Sequence, residues 1–83
     1  MKQSARTAKQ IGAVIRRARR RADMTQAALG AKIGLRQATI SKLESGEPAT
    51  QIITLLDALA ALGLEIIFDK RGRVSAQDLE DLF

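Results

Sequence analysis

Thr25-Gln26-Ala27-Ala28-Leu29-Gly30-Ala31-Lys32-Ile33-Gly34-Leu35-Arg36-Gln37-Ala38-Thr39-Ile40-Ser41-Lys42-Leu43-Glu44-Ser45-Gly46 decides the fold of this chain of 83 residues. Thr25 is a helix N-cap by residue type, because its hydroxyl can accept from a backbone N–H two or three residues on. Leu29 and Ile33, four apart with Ala28 and Ala31 beside them, give the helix from Gln26 to about Ile33 a narrow apolar face. Gly34 ends it, since glycine takes positive φ without steric penalty. Leu35 packs into the angle that follows. A further helix runs roughly from Arg36 to Ser45, with Ile40 and Leu43 inward and Gly46 as its stop. Two short helices around a tight turn, apolar where they meet, read as a helix-turn-helix.

The outward side of the later helix carries a chemistry of its own. A helix fits the major groove of B-DNA, where each base pair presents a distinct pattern of donors and acceptors. A helix that reads it needs polar residues near its N-terminus and an apolar back. Gln37 can bond adenine in bidentate fashion, Arg36 can reach guanine or phosphate, and the methyl of Ala38 can meet thymine. Thr39 adds a second methyl on this surface, and Ser41 and Lys42 reach the flanking backbone. Gln26, opening the earlier helix, is placed to bring its amide and nearby N–H groups to a phosphate. Taken singly, each of these residues is equally well a solvated polar position. Glu44 opposes phosphate binding and reads instead as structural, paired with a basic side chain of the first helix.

Reading outward, a first helix runs from about Thr7 to Ala22, with Ile11, Val14 or Ile15, Ala18 and Ala22 on one face. Arg16, Arg17, Arg19, Arg20 and Arg21 crowd the rest of it. Cations at a helix C-terminus suit the helix dipole, so part of this cluster needs no ligand. Arg16, Arg17 and Arg20 read mainly as solvated surface, with Arg17 the one assigned to phosphate. The run also fits a membrane-surface or RNA-binding helix by charge alone. Against these stand an apolar face without Trp or Phe and a basic half without an aromatic for base stacking.

After Pro48, Thr50 caps a fourth helix over Gln51–Leu62, which is apolar around much of its circumference. Gly63 stops it. Leu64-Glu65-Ile66-Ile67-Phe68 is too short for a helix and rich in β-branched and aromatic residues, which predicts a strand. A lone strand leaves its backbone groups unpaired. Its partner is either Arg73-Val74-Ser75 or the same strand of a second subunit. The acidic tail 75–83 places Leu79, Leu82 and Phe83 either on the protein's own core or against a partner.

Composition bounds the rest. Residues 1–48 carry 11 Lys and Arg against 3 Asp and Glu, whereas residues 49–83 carry 3 against 6. A basic front half fits a polyanion, and the acidic back half does not meet the same one. The absence of Cys and His removes thiol and imidazole chemistry and most zinc sites. The expectation is a non-catalytic protein without metal or cofactor. No apolar run approaches the ~20 residues of a membrane span, and no apolar segment follows the basic N-terminus as in a signal peptide. These features predict a cytoplasmic, nucleoid-associated location.

Thr25-Gln-x-x-Leu29-x-x-x-Ile33-Gly34-Leu35, followed by Ala38-Thr-Ile-Ser41-Lys-Leu-Glu44-x-Gly46, resembles the Cro and lambda-repressor-like (XRE) helix-turn-helix family over about residues 8–62. The continuation into Leu62-Gly63-Leu64-Glu65-Ile66-Ile67-Phe68 is similar to HipB-type antitoxins, as is Gly34-Leu-Arg-Gln-Ala-Thr-Ile-Ser41. The resemblance implies a bacterial, homodimeric DNA-binding antitoxin that represses its own operon and binds a HipA-like serine/threonine kinase toxin. It implies that Leu64, Ile66, Ile67 and Phe68 pair across the dimer. Gln37 and Ala38 match the family's base-reading positions; Gln26, Thr39, Ser41 and Lys42 match its phosphate-contacting surface. Arg36 departs from the pattern, standing where many members carry a capping Ser or Asp.

The fold expected is mainly α: four to five helices of a lambda-repressor-like domain plus one short strand pairing across a homodimer. Residues 1–6 form a basic arm, 7–63 the DNA-binding domain, 64–74 the dimerisation strand and turn, and 75–83 the acidic tail. Double-stranded DNA with an inverted repeat, a second copy and a kinase toxin are the partners implied. A stand-alone regulator and a partner-holding subunit with weak DNA binding remain the alternatives.

Overall fold

The computed structural model describes residues 3–70. Within them the chain forms α1 (Ala8–Arg21), α2 (Gln26–Lys32), α3 (Gln37–Ser45) and α4 (Ile52–Ala61). Thr7 caps α1 by accepting from the Gln10 N–H, while Gln10 Oε1 accepts from the Arg6 N–H at 2.6 Å. The arrangement is a capping box displaced by one residue, since Gln10 reaches the N–H of Arg6 and not that of the cap itself. Thr25 caps α2 through the Ala28 N–H, 3.0 Å away.

All four helices end in one way. The N–H of Met24, Leu35, Glu47 and Leu64 reaches back to the carbonyl of Arg19, Gly30, Lys42 and Leu59 respectively. This six-to-one closure needs a left-handed residue just before it. Asp23 (φ 54°), Gly34 (φ 72°), Gly46 (φ 86°) and Gly63 (φ 71°) occupy that position. Three of the closures turn an apolar side chain inward: Met24, Leu35 and Leu64 are all half-buried.

Ile15, Leu29, Ile40, Leu43, Ala58 and Leu59 form the core, with Ile11, Met24, Ile33, Leu55, Leu62 and Leu64 packed on it. α3 is packed against both α1 and α2. The α1–α3 crossing is close because position 12 has no side chain. A Cβ on Gly12 would stand 2.6 Å from the Leu43 carbonyl oxygen and nearer still to that of Glu44.

The four helices and the turn at Gly34 are as expected, and two boundaries move. The buried face of α1 is Gly12, Ile15 and Arg19, while Ala22 is exposed. The cap of α4 is Gln51 rather than Thr50: Gln51 is extended (φ −69°, ψ 142°), and its carbonyl accepts from the Leu55 N–H. Thr50 belongs to the preceding turn, where its N–H donates to the Glu47 carbonyl at 3.2 Å. Residues 64–70 leave α4 as non-helical backbone. Arg73-Val74-Ser75 and the tail residues Leu79, Leu82 and Phe83 lie outside the described residues. No described helix is long and apolar enough to cross a membrane.

Candidate nucleic-acid interface

α3 begins at Arg36, whose extended backbone (φ −78°, ψ 152°) makes it the N-cap although its side chain forms no capping bond. Arg36, Gln37 and Ala38 are therefore presented together at the helix start, and all three are exposed. Lys42 is exposed one turn further on, while Thr39 and Ser41 are half-buried. Thr39 and Lys42 join Thr50 and Gln51 in lining a groove of about 450 Å³ between α3 and the start of α4. The side chains expected to meet DNA on α3 thus share one element, with Ile40 and Leu43 holding its back to the core.

Behind this surface runs a chain of polar contacts. Gln37 Nε2 donates to Gln26 Oε1 at 2.6 Å, and Gln26 Nε2 donates to Glu44 Oε1 at 3.1 Å. Glu44 is buried, and Arg19 grips it in bidentate fashion: Nε to Oε2 at 2.6 Å and Nη2 to Oε1 at 2.9 Å. Arg19 Nη1 donates to the Met24 carbonyl at 2.8 Å, tying the pair to the α1–α2 turn. Arg16 Nε lies 3.5 Å from Glu44 Oε1 with its side chain partly in solvent. Burial opposes the charge on Glu44, but the bonds from Arg19 and Gln26 and the charges of Arg19 and Arg16 outweigh it. Its carboxyl is held below the usual range, and the same bond with Glu44 raises Arg19 further above neutrality. Among the described residues, no buried side-chain nitrogen or oxygen lacks a hydrogen-bond partner.

The expected pairing of Glu44 with a cation of the first helix is present, and the cation is Arg19. Gln26 is more committed than expected, since its carboxamide is engaged at both ends; one of its N–H bonds remains for a phosphate. Arg17 is exposed on α1 and bonds Gln3 of the arm at 3.0 Å, apart from the α2–α3 chain of contacts.

A second surface is apolar. Ile66, Ile67 and Phe68 are exposed, Phe68 to 93 %. Leu64 differs from its expected companions, because it is half-buried and packs on the core. Sequence reasoning missed that Ile52, Ile53 and Leu56 of α4 are exposed as well, Ile52 to 73 % and Ile53 to 59 %. Large apolar side chains left exposed in such number on a small domain mark an interaction site where they gather into one patch. The signal was available: α4 carries more large apolar residues than one core-facing stripe needs.

A turn-linked pair of helices, braced behind by a buried ion pair and polar in front, defines a helix-turn-helix domain. The helix-turn-helix family HTH_3 matches residues 15–68, more than half of the chain, and the chain belongs to this XRE-type family. Within it the chain is HipB-like. An O2 20mer complex of a HipB variant is 29% identical with a TM-score of 0.80, covering 87% of this chain and 100% of that one. A HipB–O4 20mer complex and a HipA–HipB–O2–O3 complex are each 28% identical with a TM-score of 0.78, covering 86% of this chain and 100% of theirs. A comparison with curated protein sequences found no match.

Proposed function

We propose that this protein is a sequence-specific DNA-binding repressor that acts as a dimer and as the antitoxin of a HipA-like kinase toxin. The observation that carries the DNA half is Gln37: exposed at the first turn of α3, its amide held by Gln26, with Arg36 and Ala38 beside it. Arg36, Gln37 and Ala38 read base edges, while Gln26, Thr39, Ser41, Lys42 and Arg17 hold phosphates. Phosphate contacts set register, and base contacts set sequence. The likeness to HipB in its complexes with an O2 20mer and an O4 20mer supports the same reading.

One copy offers too few base contacts for a specific site. Two copies related by a twofold axis read an inverted repeat with half-sites about one helical turn, or a multiple, apart. Ile66, Ile67 and Phe68 form the dimer contact, with Leu64 anchoring the segment to the core and the exposed Ile52, Ile53 and Leu56 offering further apolar surface. The organisation is a basic arm at 1–6, the DNA-binding domain at 7–63, the dimerisation segment at 64–74 and an acidic tail at 75–83. Leu79, Leu82 and Phe83 of that tail meet the toxin, a reading supported by the HipA–HipB complex among the structural relatives. The family is one of regulators, and no catalytic step is assigned to this chain.

Fluorescence anisotropy on duplex DNA from upstream of the gene tests the proposal. A specific operator binds about 10³-fold or more tighter than a shuffled duplex of equal length. Equal affinity for both at all salt concentrations defeats the repressor reading. Copurification of the chain with the product of an adjoining kinase-like reading frame tests the antitoxin half.

A further inference from the structure

We propose that Glu44 sets the direction of the Gln37 amide through Gln26, and so makes this position of the protein select adenine over guanine. The proposal rests on Gln37 being a base reader. Its own content is the direction imposed on that residue from the core.

An ionised carboxylate only accepts hydrogen bonds, whereas a carboxamide donates at one end and accepts at the other. Glu44 is buried and held ionised by the bidentate grip of Arg19. Gln26 must therefore turn its NH₂ toward Glu44, as the 3.1 Å bond from Nε2 to Oε1 records. That leaves Gln26 Oε1 facing α3, where it can only accept. Gln37 in turn must offer its NH₂, and Nε2 sits 2.6 Å from Gln26 Oε1. The order Arg19, Glu44, Gln26, Gln37 is thus fixed by one charged pair at its buried end.

The consequence lies at the exposed end. Gln37 keeps one N–H and its oxygen for DNA. Adenine offers the complement, an acceptor at N7 and a donor at N6. Guanine offers two acceptors, N7 and O6. With one N–H already spent on Gln26, Gln37 cannot turn both hydrogens to guanine, and its oxygen would face O6. An unanchored glutamine could rotate to lessen that repulsion. Glu44 is a positioning residue here; it touches neither base nor phosphate.

The test uses the full chain and an operator obtained from upstream DNA or by selection from randomised duplexes. Affinity is measured for the operator and for versions with adenine changed to guanine at each position. Three proteins are compared with the wild type: Gln37→Ala, Gln26→Leu, and the double variant Arg19→Met with Glu44→Gln. The double variant removes both charges together, so no buried charge is left unpaired. Its new amide can donate as well as accept, which frees Gln26 to flip.

Wild type should prefer adenine by roughly tenfold or more at one position per half-site. Gln26→Leu and the double variant should both lower that ratio to within about threefold, and combining them should lower it no further. In ¹⁵N NMR of the free protein, the Gln37 side-chain amide should gain mobility in both while the backbone spectrum persists. If the ratio survives in both variants but vanishes in Gln37→Ala, Gln37 reads the base and the positioning role of Glu44 is wrong. If Gln37→Ala weakens every duplex equally, the base-reading assignment itself fails, and this inference fails with it.

Discussion

Arg19→Met is the perturbation whose cost the structure defines best. The change removes two hydrogen bonds to the buried Glu44 carboxylate and one to the Met24 carbonyl. It keeps most of the side chain's volume. Breaking a buried ion pair by deleting one partner costs about 3–5 kcal/mol, because the remaining charge is left desolvated. Arg16 Nε is already 3.5 Å from Glu44 Oε1 and can move closer, which places the expected loss near ~3 kcal/mol. Against a total of about 4–12 kcal/mol for a domain of this length, that is a large fraction. The sign with pH follows from Glu44. In the wild type its carboxyl is lowered below the unfolded value, so its stabilisation is present above the ordinary carboxylate range. That stabilisation is lost as pH falls through the folded value. In Arg19→Met the same carboxyl, buried without its cation, favours protonation. The gap between the two proteins should therefore be widest at neutral pH and close progressively as pH falls into and through the carboxylate range. Urea unfolding followed by circular dichroism at pH 7 and pH 3.5 measures both. Adding Glu44→Leu to Arg19→Met should restore most of the loss. A penalty under about 1 kcal/mol, or one that stays constant with pH, would refute the claim that this pair is a desolvated brace.

Other expectations follow from the packing and from the surface. Gly12→Ala should lower stability by about 1–2 kcal/mol although alanine favours helix, because the new methyl meets backbone carbonyls and α1 must back away from α3; thermal melting should fall by roughly 4–8 °C per kcal/mol lost. Phe68→Asp or Ile66→Asp should give monomers in sedimentation with poor operator affinity but a normal helical spectrum, and an unchanged dimer would mean that 64–68 pairs elsewhere. Lys42→Ala should weaken operator and random DNA alike and reduce the slope of log affinity against log salt by about 1.

What could be read beforehand, and what could not, divides along physical lines. Gly34 and Thr25 were legible because each answers a purely local demand: a left-handed turn residue and a hydroxyl cap. Ile40 and Leu43 were legible because apolar residues at helical spacing leave few choices. Arg19 was not singled out, since periodicity counts apolar side chains and Arg16, Arg17, Arg20 and Arg21 are chemically identical to it. Only its spacing, four residues after Ile15 and seven after Gly12, places it on the buried face. The two contacts of Gln26 were likewise hidden, because each residue was assigned outward by type and none was asked what stood behind it. On α4 the apolar excess around the helix was visible in the sequence, but not which residues a small core would leave uncovered: Ile52, Ile53 and Leu56.

The central claim is that Gln37, at the head of α3, reads a base. Competition binding of Gln37→Ala against the wild type, over an operator set with every base pair changed singly, tests it most directly. The account predicts that Gln37→Ala loses roughly 1–3 kcal/mol on the intact operator. It also predicts that this variant becomes indifferent to substitution at one symmetric pair of positions while keeping the wild-type pattern elsewhere. A uniform loss across all duplexes, with the full wild-type pattern of preferences retained, would contradict it.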